Sequence, residues 1–434
     1  MTARLGHRLT RQRLARIACV LMLAVGCGPS PVAPVPQPQK APSAATSSRT
    51  VAAADVDDVL ASAVSRQDVL GIVAMAVDRD GVIYRGAFGI ADDVHDTPIG
   101  TDAVFRIASM TKPVTSVAAM QLVEQGAIAL DESAAHYLPE LARAQVLERF
   151  DAERGTYELR PPASPITVRQ LLTHTAGFGY PFTSDTLRDF GPLAGDRDVV
   201  GPLLFDPGTS WWYGTNTDWV GRLVEAVSGQ SLEAYFHEHI FTPLQMPNTV
   251  FNVPESDWPR AVVLARRQPG GGLFQEARQD PSPVTAFSGG GGLWSTADDY
   301  ARFMQMWLNG GTLDGQRVLS AETVATMSAN QVGPLAAGTI VSALPERSND
   351  FRPTGEGRGR FGLGFLINLD DQPGRRAGGS LAWAGLYNTY FWIDPASGVA
   401  GVILTQVLPF ADPQVLGVFE AFERAVYVLV AEVV

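Results

Sequence analysis

Ser109 and Lys112 stand three residues apart in Ser109-Met110-Thr111-Lys112, and Lys112 is the only lysine after residue 40. Of the 33 basic residues, 31 are arginine; the other lysine, Lys40, lies in a Pro/Ala/Ser-rich stretch. Arginine stays protonated in proteins, whereas a desolvated lysine can lose its proton and act as a base. A chain that meets its need for positive charge with arginine, yet keeps one lysine beside a serine, marks that lysine for chemistry. On a helix, residues i and i+3 share a face, which brings the amine within reach of the hydroxyl. The pair reads as a serine nucleophile activated by lysine. A chance Ser-x-x-Lys on an exposed helix has the same letters, and the lysine census is what weighs against it.

Such a serine needs an oxyanion hole and a group that returns a proton to the leaving group. Tyr213, in Trp211-Trp212-Tyr213-Gly214-Thr215-Asn216, is a candidate for the second task, placed in a turn just before a helix; the alternative is an aromatic packing beside Trp211 and Trp212. The helix that starts near Ser109 runs through Val117, Met120 and Leu122 to Gly126, with Pro113 in its first turn, where proline is tolerated. Ser109 therefore falls at a helix N-terminus, where backbone N–H groups and the dipole favour a developing anion. His174 is a candidate triad base, but no G-x-S-x-G elbow occurs, and the histidine more naturally fixes a helix end. His237 and His239 sit two apart and so face different sides of a helix, and H-E-x-x-H is missing, so no metal site is expected. The glycine runs at 270–272 and 289–292 lack a following Gly-Lys-Ser/Thr and read as loops near the site, and no cofactor is expected.

At 434 residues, with 46% hydrophobic and 18% charged residues, the sequence suits one large two-lobed domain or two ordinary ones. No run of 18 apolar residues occurs, so no mature helix is expected to span a membrane. The formal charge is -12, and residues 1–26 contribute five arginines and no acid, so the rest carries -17. That balance argues against nucleic acid as a partner. Both cysteines, Cys19 and Cys27, lie at the N-terminus, which leaves no thiol for disulfides, zinc or nucleophilic catalysis in the folded part. Residues 1–26 read as a signal peptide, with Arg4 to Arg16 as its basic region and Ile17 to Gly26 as its apolar region. Leu23-Ala24-Val25-Gly26-Cys27 resembles a bacterial lipobox, which implies acylation of Cys27 and an exported protein anchored at the cell envelope, probing the membrane only through that lipid. Ala24 departs from the usual leucine, so ordinary signal cleavage stays open, as does an incidental Cys27. Residues 27–50 read as a disordered linker.

From residue 51 onward one domain is expected. An amphipathic helix over 53–67 precedes two strands, Gly71–Val77 and Val82–Phe88, joined by an Asp-Gly turn. Residues 131–284 read as an inserted, mainly helical lobe without clear strand pairs. A capped helix follows over 297–308, then strands at Gly362–Leu369, Ser380–Trp383, Tyr387–Ile393 and Val399–Gln406, and a last helix over 413–430. The expected class is α+β: an antiparallel sheet completed by both ends of the chain, flanked by N- and C-terminal helices, with the helical lobe inserted.

Together these segments resemble the serine beta-lactamase and penicillin-binding-protein superfamily, in the class C-like branch that includes family VIII carboxylesterases, D-stereospecific peptidases and acyltransferases of the lovastatin type. Phe105–Lys112 matches the first motif, Leu171–Gly177 a segment typical of the branch, Tyr213 the second-motif tyrosine, and Gly289–Thr296 and Trp383-Ala384-Gly385 two later segments. The resemblance implies Ser109 as the acylated nucleophile, Lys112 as its base, Tyr213 as the proton-returning acid, and the backbone N–H groups of Ser109 and Leu386 as the oxyanion hole. It further implies substrate contacts from Trp383, Ala384, Gly385 and the motif asparagine. That asparagine, Asn216, stands one place later than the usual Tyr-x-Asn, and Trp383 stands where the lactamases carry a carboxylate-binding lysine. A tryptophan offers an apolar wall there, which favours neutral acyl esters; Arg375 and Arg376 are candidates for a replacement anion site. The expected activity is an esterase-like serine hydrolase. A beta-lactamase, a D-amino-acid peptidase or an acyltransferase on the same machinery is the alternative, and a non-catalytic envelope sensor of peptidoglycan fragments is a rival of another kind.

Overall fold

The computed structural model describes residues 44–194, 200–280, 282–354 and 358–432. Expectations for the signal peptide, Cys27 and the linker up to residue 43 fall outside the described residues, and the localisation they imply falls with them.

The first chain reversal is made by Asp78, whose carboxylate accepts the N–H groups of Asp80 (2.9 Å) and Gly81 (2.8 Å). It joins β1 (Gly71–Asp78) to β2 (Val82–Asp92), and the short β3 (Thr97–Pro98) lies beyond. The remaining strands of the same sheet come from the other end of the sequence: β4 (Arg360–Phe361), β5 (Leu366–Ile367), β6 (Leu381–Gly385), β7 (Thr389–Asp394) and β8 (Val399–Leu404). The order across the eight-stranded sheet is β4-β5-β6-β7-β8-β1-β2-β3, antiparallel at every junction. β1 is therefore central, which explains why its apolar residues form a continuous run instead of alternating with polar ones.

Five helices matter for the site: α1 (Ala44–Ser65), α2 (Thr111–Glu124), α3 (Asn216–Ser228), α4 (Ala297–Leu308) and α5 (Pro413–Ala431). Alternation along β7 shows how the layers form. Tyr390 and Trp392 point to α5, where they meet Phe419 and Phe422, while Phe391 points the other way to Tyr300 of α4. Gly401 on β8 makes room for Trp392, since a Cβ there would lie 2.2 Å from the indole ring. α4 starts as its sequence suggests, with the Thr296 hydroxyl accepting the Asp299 N–H.

The α+β class and the sheet shared by both chain ends agree with the sequence reading, and three details differ. The first helix, expected over 53–67, spans Ala44–Ser65; alanines at 44, 45 and 52–54 favour helix. The middle lobe contains strand pairs after all: Val146–Asp151 with Thr156–Arg160, and Ala265–Arg267 with Leu273–Gln275. The first pair is exposed and charged on both strands, with Arg149 opposite Glu158, so no apolar alternation announces it. Finally, Gly362–Leu369 is not one strand. It turns back on itself at Gly364 (φ +99°), and β4 pairs with β5 across that turn.

Candidate active site

Ser109 is presented by a strained turn. Ala108, immediately before it, has φ +43°, in the left-handed region that costs a non-glycine residue of order 1–3 kcal/mol unless its surroundings impose it. Here the surroundings do. Ile107 donates its N–H to Leu293 O (3.1 Å), the Thr389 hydroxyl donates to Ile107 O, and Gly385 packs so closely that a Cβ would sit 2.2 Å from that same oxygen. One turn of 3-10 helix, Ala108–Met110, then passes into α2, with Pro113 in the first turn.

The Ser109 hydroxyl receives two hydrogen bonds, from Lys112 Nζ at 3.2 Å and from Tyr213 OH at 2.5 Å. Lys112 is buried, and its amine also donates to Gly290 O (2.6 Å) and Tyr180 OH (3.2 Å), while it lies 4.7 Å from the centre of the Tyr213 ring. The Gly290 carbonyl is set by Asp218, whose carboxylate accepts the Gly290 N–H (3.0 Å) and the Ser288 hydroxyl (2.5 Å). Glycine at 290 lets the Asp218 carboxylate approach this closely, since a Cβ would lie 2.3 Å from it and would push it aside. Burial, reinforced by Tyr213 and Asp218, holds the Tyr180 phenol well above its usual range, so Tyr180 faces Lys112 as a neutral hydroxyl.

Behind Tyr213 lies His174. It follows the helix Val168–Leu172 with φ +58°, which ends that helix, and its carbonyl accepts the Trp212 N–H at 2.9 Å. Its ring centre is 5.1 Å from Tyr213 and 5.5 Å from Phe361. Asn216, at the start of α3, donates its amide to His174 Nδ1 (3.0 Å) and to Phe178 O (3.2 Å). Accepting at Nδ1 leaves the imidazole proton on Nε2. Burial, and secondarily the Lys112 charge, pushes the His174 pKa well below 6.5, so the buried ring is neutral. A folded-state pKa below the unfolded one means that the unfolded chain binds the extra proton as acid is added. The stability linked to His174 is therefore complete above 6.5 and is lost as pH falls below it. Thermal melts from about pH 7.5 to about pH 5 are expected to show a steeper acid loss for the wild type than for His174→Gln; parallel curves would show that the imidazole is not what titrates.

Trp383 on β6 meets Tyr213 edge-on at 5.1 Å and Phe361 at 5.4 Å, so it clamps the tyrosine as well as walling the cavity. That cavity, of about 230 Å³, is lined by Ser109, Tyr213, Trp383, Ala384 and Leu386, with Tyr180, Phe182, Ile340, Phe351 and Phe410 among its other walls. The close approach of Gly385 to Ile107 brings the end of β6, and so Leu386, against the turn that carries Ser109. Asn216, expected to contact substrate, is instead fully buried, and its amide supports His174 and the Phe178 carbonyl. Arg375 and Arg376 do not form an anion site here. Arg376 makes a two-pronged ion pair with Glu423 of α5 (2.7 Å), and Arg375 lies 3.6 Å from the same carboxylate. The arginine that reaches the Ser109 cavity is Arg347, which makes no ion pair with described residues. Among the described residues no cluster of His, Cys, Asp or Glu could hold a metal ion.

Sequence reasoning passed over Tyr180, Asp218, Gly290, Arg347 and Phe351. Tyr180 stands three residues past Gly177 and Gly290 sits inside the noted glycine run, so both had a local signal; Arg347 and Phe351 lie on a loop with no periodicity to mark them.

The beta-lactamase family profile matches residues 56–421. The chain belongs to the beta-lactamase family. Within it, the chain is 32% identical to monacolin J acid methylbutanoyltransferase of Aspergillus terreus over 84% of its own length and 93% of that protein. It is 31% identical to lovastatin esterase of Penicillium rubens, over 86% and 98% of the two chains. Among solved structures, unliganded simvastatin synthase (LovD) of Aspergillus terreus superposes with a TM-score of 0.74 at 30% identity, covering 87% of this chain and 98% of that one. The protein is thus an enzyme of the serine hydrolase and acyltransferase superfamily, with the beta-lactamase-like α+β fold.

Proposed function

We propose that this enzyme cleaves small acyl esters through an acyl-enzyme on Ser109. The observation that carries the reading is the position of the Ser109 hydroxyl between Lys112 Nζ and Tyr213 OH. In the first step Ser109 Oγ attacks the ester carbon while its proton passes to the Lys112–Tyr213 pair, and the carbonyl oxygen becomes an oxyanion held by the N–H groups of Ser109 and Leu386. Collapse breaks the bond to the alkoxide, which leaves with a proton from Tyr213. Water then repeats the sequence on the acyl-enzyme, releasing the acid and restoring the hydroxyl. Trp383 and the aromatic walls suit an apolar acyl group.

A fluorophosphonate probe is expected to label the protein, with the adduct mapped to Ser109 by mass spectrometry, and p-nitrophenyl butyrate is expected to be hydrolysed far faster than nitrocefin. Labelling elsewhere, or efficient lactam turnover with negligible esterase activity, would overturn the reading. Acyl transfer to an alcohol is a second reading, supported by the relative named a methylbutanoyltransferase. It predicts ester formation when an acceptor alcohol is added to the butyrate assay.

A further inference from the structure

A second cavity, of about 170 Å³, adjoins the Ser109 cavity, sharing Phe351 and Trp383 with it. Ala382 and Ala384 are two residues apart on β6, so both side chains leave the same face; Ala384 lines the Ser109 cavity and Ala382 the second. The floor thus continues from one chamber to the other over two small side chains. Phe351 and Trp383 line both, and with Trp383 held against Tyr213 and Phe361, Phe351 is the candidate partition. Its ring is 4.9 Å from Phe410, a wall of the first chamber, and 6.3 Å from Tyr390, a wall of the second. It is no flexible flap: Phe351 and Ile340 exchange two backbone hydrogen bonds of 2.9 Å, and the ring is 6% exposed. Beyond it the second chamber offers Leu366, Leu416 and Phe419; of its three arginines, Arg375 and Arg376 are matched by Glu423 and Arg352 by Asp350. Its cations are thus already paired, and the hydrocarbon would run along the apolar part of a wall that also carries Asn368, Gln372 and Glu420.

We propose that Phe351 is the residue that limits acyl-chain length, closing the Ser109 cavity against a second apolar chamber that would otherwise receive the chain; this rests on the ester-hydrolase reading above. With Phe351 in place the enzyme takes short acyl esters. Without it, the chain continues over Ala384 and Ala382, and each methylene that becomes buried raises kcat/KM by about fourfold.

The test is a kcat/KM profile over p-nitrophenyl acetate, butyrate, hexanoate, octanoate and decanoate. The wild type is expected to peak at butyrate or hexanoate and fall at octanoate. Phe351→Ala is expected to raise the octanoate-to-acetate ratio of kcat/KM by about tenfold or more. Adding Ala382→Leu to Phe351→Ala refills the second chamber and is expected to return the octanoate value toward that of the wild type. Phe351→Leu, a smaller change, covers the case in which the alanine variant does not fold, and is expected to shift the profile in the same direction. A folded, active variant with an unshifted octanoate-to-acetate ratio overturns the role of Phe351 and leaves the esterase reading standing. Failure of wild type and variants alike to hydrolyse any of these esters overturns both.

Discussion

Ser109→Ala is expected to lower kcat for ester hydrolysis by on the order of 10⁵-fold or more. Lys112 and Tyr213 both reach the reacting centre through the Ser109 oxygen, at 3.2 and 2.5 Å, so removing that oxygen disables all three groups at once. Combining Ser109→Ala with Lys112→Met should consequently cost almost nothing more than Ser109→Ala alone, because groups that act as a unit are strongly non-additive. The fold should tolerate the change, since only the Tyr213 hydroxyl and one Lys112 donor lose a partner, at about 1 kcal/mol each. Stopped assays and intact mass after incubation with butyrate ester read both halves of this prediction. Retention of activity within about tenfold of wild type would place the chemistry elsewhere, and unchanged behaviour of the protein in every assay would favour a binding role.

The second large effect is expected at Lys112. Lys112→Met keeps much of the side-chain volume and removes the amine, and should lower kcat by about 10³- to 10⁴-fold. Lys112→Arg is the sharper control. It retains a positive charge, but a guanidinium cannot take the Ser109 proton, and its planar fork does not match the three converging acceptors at Ser109, Tyr180 and Gly290. Both variants should be comparably inactive if the amine works as a proton acceptor. An active Lys112→Arg enzyme would mean that the position supplies only charge. Circular dichroism and melting curves separate either result from misfolding.

The residues at the reaction centre were legible because they sit in elements with strong local signals. The Ser109 helix has its proline in the first turn, and β7 and β8 are joined by the turn Asp394-Pro395-Ala396-Ser397-Gly398. A lysine count over the whole sequence then separated chemistry from charge. What escaped was the ring of residues around that centre. Asn216 looks like a motif residue in one dimension, yet at the first position of α3 its amide turns toward His174 and away from the cavity. Arg375 and Arg376 look like free cations until α5 brings Glu423 beneath them. Phe351 gains its place from hydrogen bonds to Ile340 across an irregular loop, and Arg347 from a hydrogen bond to Phe410, a distant segment that no window of sequence contains. Local patterns specify helices and strands; long-range contacts decide which side chains meet across a cavity.

The sheet order also bears on how the molecule comes into being. β1 is bonded to β2 on one side and to β8 on the other, with Val73 opposite Leu404. During synthesis the apolar edge of β1 therefore waits, unpaired, for almost the whole chain to emerge, and the non-local pairing makes folding slow and exposed to aggregation. A nascent chain that has already produced Ser109, Lys112, Tyr213 and Trp383 still lacks the strand and the helix that lock them together. Catalytic competence is then a property of the finished polypeptide, acquired in one late step, and a truncation before β8 should yield insoluble protein in place of a weakened enzyme.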